Sequence, residues 1–150
     1  YEESAAVPLI MAHPRLIPPS VLAEPASALD LPPTICDFAG AVPPPGLPGT
    51  SLRPAVESGE AVPSGRPVVC ELAADPARPE IQGRMVRSGI FKYNAYAPGS
   101  PSEQLFDLAN DPGETRNLAS DPAHAGDLQR LRSLLSEWCA ATSDPFGAMF

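Results

Sequence analysis

The sequence is poor in positive charge, in long apolar runs and in cysteine. Ten lysines and arginines stand against 18 aspartates and glutamates, a net charge of −8. Such a chain repels a phosphate backbone, which argues against a nucleic-acid partner. No stretch approaches the roughly 18 apolar residues that a membrane-spanning helix needs, so no membrane partner is expected. The three cysteines, Cys36, Cys70 and Cys139, are odd in number and lack C-x-x-C spacing. They read as small buried hydrophobes; a disulfide between two of them stays open, and the compartment with it. The chain starts at Tyr1 rather than methionine, with no charged leader or apolar signal core, and reads as an excised piece.

Proline and glycine, by contrast, are abundant, at 21 and 11 residues. The prolines cluster, and the segments between them are periodic, which predicts a folded domain with long proline-rich connections. Residues 41–66 are such a connection, expected to be irregular and to run over the surface. The stretch Pro67–Ala73 reads as a strand. Arg84–Ser88 and Phe91–Tyr96 alternate with period two about a turn at Gly89, and Gln104–Leu108 supplies a further short strand. Short connections make the four an antiparallel sheet with a face to bury. The cover is expected from Leu128, Leu131, Leu134, Leu135, Trp138 and Cys139, which fall at helical spacing. Ser143–Phe150 is expected to be loose.

Asn110-Asp111-Pro112-Gly113 ends the last strand with turn chemistry, and Asp111, Glu114, Arg116 and Asn117 read as a self-satisfying turn network. Near the start, Val7–Ala12 is a continuous apolar run, as in a strand buried on both faces. Asp30 is a good helix N-cap, with Pro32 and Pro33 in the first turn. Ile35, Phe38 and Ala39 form the apolar face, Asp37 lies on the solvated face, and Gly40 is the stop.

RMVRSGIFKYNAY followed by EQLFDLANDPGETRNLA closely resembles the C-terminal part of the type I sulfatases, in the alkaline-phosphatase-like superfamily. YEESAAVPLI, SALDLPPTICDFAG and GTSLRP resemble further segments of that family. Ala6 departs from it, standing where the family generally carries arginine, so a contact to Glu2 or Glu3 is expected to be missing. The resemblance implies the end of an α/β/α sulfatase domain over 1–65, with its proline-rich connection. Over 66–150 it implies an α+β subdomain, a four-stranded antiparallel sheet packed with a C-terminal helix. It also implies a sulfuric ester hydrolase using a formylglycine nucleophile and Ca²⁺ or Mg²⁺, acting on a sulfated small molecule or sugar.

None of those parts is found in these 150 residues. No cysteine is followed by x-(P/A)-S-R, and the paired-aspartate and D-H-G metal motifs are absent. No catalytic or metal-binding residue is therefore carried over, no cofactor is expected to be bound by this piece, and its partner is the missing N-terminal catalytic part. Two residues are candidate substrate contacts: His13, just beyond the apolar run, and Glu71, the one acidic residue inside an apolar strand. Lys92 reads as solvated, opposite Phe91 and Tyr93, while Arg84 and Arg87 read as anchors of a subdomain interface. A related phosphonate or phosphodiester hydrolase, and a non-catalytic binding or structural module, remain the rival readings.

Overall fold

The computed structural model describes residues 2–58, 65–73, 77–78, 80–97 and 102–148. These divide into two compact units, one of Tyr1–Val7 with Pro67–Phe150 and one of Pro8–Arg66.

In the first unit the expected sheet is present. Strands β1 (Val68–Ala73), β2 (Gln82–Ser88), β3 (Phe91–Ala97) and β4 (Glu103–Asp107) pair antiparallel in chain order. The β2–β3 turn has two residues, with Ser88 opposite Phe91. Gly89 takes φ 58° at the first of them, a value such a tight hairpin requires and that a side chain would resist.

Alternation gives the sheet two faces. One carries Val86, Tyr93, Ala95 and Leu105, which pack with Leu118 and with Leu128, Leu131, Leu135 and Cys139 of the long helix Ala125–Thr142. The period-3.6 stripe read from the sequence is thus core, although Leu134 and Trp138 sit half-buried at its flank. The segment expected to be loose after residue 142 is instead folded into this core. Pro145–Ala148 makes a 3-10 turn, and Phe146 is fully buried beneath the Arg84 guanidinium, 4.8 Å from its ring centre. Asp144 accepts from Arg84 Nε at 2.6 Å and from Nη2 at 2.9 Å. A bidentate pair and an aromatic plug hold the tail where sequence periodicity offers no signal. Residues 149–150 lie outside the described set.

The Pro8–Arg66 unit departs further from expectation. Val7–Ala12 belongs to no strand, and Val7 and Ile10 are 75% and 87% exposed; among the described residues no neighbouring strand pairs with this run. The helix Leu31–Phe38 does form, and Gly40 follows it at φ 66°. Its inward residue is Thr34, however, while Ile35 is 66% exposed. Hydrogen bonding decides the orientation: the Thr34 hydroxyl donates to the Asp30 carbonyl at 2.6 Å and accepts from Leu52 N at 2.8 Å.

Asp30 is not the side-chain cap expected. Ser27 caps the preceding 3-10 turn, and the Asp30 carboxylate reaches back to Ser27 N at 2.8 Å. It also accepts from Thr50 N and from Arg66 Nη1, each at 2.9 Å. Burial pushes this carboxyl up, but Arg66 and the two amides more than offset it and hold it below the ordinary aspartate value. Asp37, expected to be solvated, accepts from the Ser51 hydroxyl at 2.6 Å and from Arg53 at 3.2 Å. Within the expected irregular connection, Arg53–Ser58 is a short helix burying Ala55 and Val56; residues 59–64 of that connection lie outside the described set.

Replacing Phe146 by alanine is expected to cost about 3–5 kcal/mol, the range for emptying a buried aromatic site. Urea denaturation measures it, and a loss below about 1 kcal/mol would mean that the tail is not part of the core.

Candidate functional site

The second face of the sheet carries the densest charge chemistry in the chain. Arg87 of β2 lies directly opposite Lys92 of β3, and like charges so placed repel unless anions come between them. Two carboxylates do so. Lys92 Nζ lies 2.9 Å from Glu114 Oε1 and 3.2 Å from Glu2 Oε1, and Arg87 Nη1 donates to Glu2 Oε2. The Glu2 amide also donates to Glu114 Oε1, which ties the first helical turn, Glu2–Ala5, to the sheet.

The side chains of Lys92 and Glu114 are each 1% exposed. The solvated lysine expected from strand alternation is therefore buried. The alternation itself is right, but this face is covered as well. Glu114 likewise leaves the turn network expected of it and adopts φ 52° to reach Lys92, whereas Asp111, Arg116 and Asn117 satisfy one another's surroundings as expected. Asp111 accepts from Thr115 N and Arg116 N, and Asn117 Oδ1 from Leu105 N and Ala119 N. With Ala6 in place of arginine, Glu2 finds its cations in Arg87 and Lys92.

His13 and Glu71 fall in different units. His13 is half-buried, and its Nδ1 accepts from Arg15 N at 3.2 Å and Leu16 N at 3.1 Å. That engages one ring nitrogen in a turn and leaves Nε2 as the nitrogen able to meet a ligand. Glu71 lies on β1, opposite Arg84, with its side chain 62% exposed and 3.9 Å from Arg84 Nη2. Arg84 is committed to Asp144, so the Glu71 carboxylate is only a distant third party to that pair.

The remaining chemistry is structural. The three cysteines are free thiols, and burial pushes that of Cys139 up, away from a nucleophilic thiolate. Among the described residues no three His, Cys, Asp or Glu side chains gather to hold a metal ion. The carboxylates of Asp30, Asp144 and Glu114 are instead matched to Arg66, Arg84 and Lys92. The divalent cation implied by the sulfatase resemblance thus does not fit these described residues.

Comparison with known proteins follows the same pattern. A family described as N-sulphoglucosamine sulphohydrolase, C-terminal, matches residues 1–140. Delta 4,5-hexuronate-2-O-sulfatase of Bacteroides thetaiotaomicron is 34% identical over 154 residues, covering 99% of this chain and 31% of that protein. A solved 2-O GAG sulfatase is 34% identical with a TM-score of 0.70, covering 81% of this chain and 26% of the other. The phosphonate monoester hydrolase of Agrobacterium radiobacter is 30% identical with a TM-score of 0.61, over 77% of this chain and 25% of that one. The chain thus spans 31% of the first relative's length.

Two outcomes follow for the ion pairs. Lys92→Met leaves Glu114 buried without a cation and is expected to destabilise by about 3–5 kcal/mol, whereas Lys92→Met with Glu114→Gln recovers much of the loss; a double-mutant cycle in denaturant reads the difference. The carboxyls of Asp144 and Glu103 are held below their ordinary values, chiefly by hydrogen bonds from Arg84 and Arg132. Depressed folded-state values give stability that is present above the unfolded value, about 4, and lost as pH falls through the folded ones. The melting temperature should therefore drop below about pH 4, and drop less steeply in Asp144→Asn.

Proposed function

This chain belongs to the sulfatase family, as the C-terminal region of such an enzyme, and on that premise we propose that the whole protein hydrolyses sulfate esters. The observation that carries the reading is the match over residues 1–140, together with a sheet and helix whose polar groups are devoted to holding one another. The formylglycine nucleophile and the Ca²⁺ or Mg²⁺ ion are assigned to parts of the protein outside this chain. Residues 1–65 belong, in this reading, to the end of the main α/β domain and 66–150 to the C-terminal subdomain.

The substrate proposed is a sulfated sugar, which the names of the hexuronate-2-O-sulfatase and the 2-O GAG sulfatase support. His13, through Nε2, and Glu71, through its exposed carboxylate, are the proposed substrate-side groups. A second reading, hydrolysis of phosphonate monoesters, is favoured by the likeness to the phosphonate monoester hydrolase.

The test is an assay of the full-length protein, with Ca²⁺, on a 2-sulfated uronic acid disaccharide, an aryl sulfate and a phenylphosphonate monoester. Higher kcat/KM on the sulfates is expected, and preference for the phosphonate would replace the first reading by the second. The 150 residues alone should release no sulfate from any of them; metal-dependent release would overturn the assignment of the chemistry. Glu71→Ala is expected to raise KM for the disaccharide by roughly fivefold, about 1 kcal/mol, with kcat unchanged.

A further inference from the structure

Glu2 is gripped by residues far along the chain. Its amide donates to Glu114 Oε1, 112 positions away, and its carboxylate takes Arg87 on one oxygen and Lys92, at 3.2 Å, on the other. The turn Glu2–Ala5 contributes no fully buried residue, and Glu3, Ser4 and Ala6 are exposed. The hold on this segment is therefore made chiefly of ion pairs and one hydrogen bond rather than of apolar packing.

The gripping side is built at a cost to itself. Glu114 adopts φ 52°, a sparsely populated conformation for a residue with a side chain. Its Oε1 serves Lys92 and the Glu2 amide together, while its Oε2 is buried with no hydrogen-bond partner among the described residues. Arg87 Nε is buried and unpartnered in the same way. Charge balance alone asks for less. Lys92 is neutralised by Glu114 at 2.9 Å, and Arg87, with a side chain 28% exposed, has water within reach. Bringing the backbone and both carboxylate oxygens of Glu2 to one point goes beyond what either cation needs.

The side chains of Lys92 and Glu114 are each 1% exposed, so neither can touch a substrate. Any effect they have on a reaction passes through Glu2. The family that matches residues 1–140 is a C-terminal one, and the reading above places the nucleophile and the metal outside these residues. We propose that Glu2, clamped by Lys92, Arg87 and Glu114, is a positioning residue for the reaction: it fixes on this sheet the segment by which the catalytic part of the protein joins it. The proposal rests on that reading. A misplacement of about 1 Å, passed on from a residue remote from the chemistry, can cost a rate roughly a hundredfold.

The experiment uses the full-length protein, with steady-state kinetics on an aryl sulfate and thermal melting side by side. Glu2→Ala empties the clamp and leaves Lys92 with Glu114. Its kcat is expected to fall about ten- to a hundredfold, with KM within about twofold of the wild type and the melting temperature little changed. Phe146→Ala, on the opposite face of the sheet, is the control for lost stability. It should lower the melting temperature and, assayed well below it, keep its kcat. If Glu2→Ala does not fold, Lys92→Met with Glu114→Gln carries the test. That pair regains stability, yet it leaves Glu2 only one of its two cations, so kcat should stay about tenfold down. Wild-type kcat in folded Glu2→Ala or in the double variant overturns the proposal, and so does an equal loss of kcat in Phe146→Ala. A wild type that prefers a phosphonate monoester overturns the sulfatase reading alone, because the same comparison is then made on that ester. A wild type that hydrolyses neither ester overturns both.

Discussion

The central strand β3 is buried on both faces, and the structure depends on how its second face is satisfied. Tyr93 and Ala95 point into the helix-covered core, as any strand in such a sheet should. Lys92, one position away, is as buried as they are. A lone ammonium in that position would be untenable, since moving it from water costs several kcal/mol without a partner. Glu114 and Glu2 resolve this from opposite directions in the chain, one through a residue forced to positive φ and the other through the first turn of helix. The position of residues 2–5 on the sheet is thus a consequence of one buried lysine.

The scarcity of positive charge gains meaning from this arrangement. Arg53, Arg66, Arg84, Arg87, Lys92, Arg116 and Arg132 each hold a carboxylate. In a chain of net charge −8, cations so committed are poor candidates for recognising a sulfate group. That supports the proposal that anion recognition, and with it the chemistry, lies outside these residues.

Periodic elements were legible in the sequence, and single contacts were not. The strands, the hairpin at Gly89 and the leucine stripe all announce themselves by spacing, because burial of one face imposes it. Thr34 turning inward in place of Ile35 leaves no such trace, since two hydrogen bonds outweigh the apolar pattern of a single helical turn. Lys92 could have been recognised in part. The hairpin register places it against Arg87, and two cations side by side on a sheet call for acidic partners. Phe146 and Asp144 could not, because an isolated aromatic four residues before the chain's last position has no period to reveal it. His13 and Glu71 stood out by residue type, and neither is drawn into a cluster of catalytic groups by its local surroundings.

The position of Phe146 also bears on how the molecule is made. During synthesis the four strands have all emerged once residue 107 is out, yet the sheet's inner face is then bare. The helix covers most of it from residue 125 onward, and still the plug that seats beneath Arg84 arrives last. The unit therefore cannot close its interior on the ribosome until residue 148 has cleared the exit tunnel. Until then Arg84 waits without Asp144, and the growing chain must keep an open apolar surface in solution. The closing of this unit's core is thus timed by a short turn rather than by the sheet it seals.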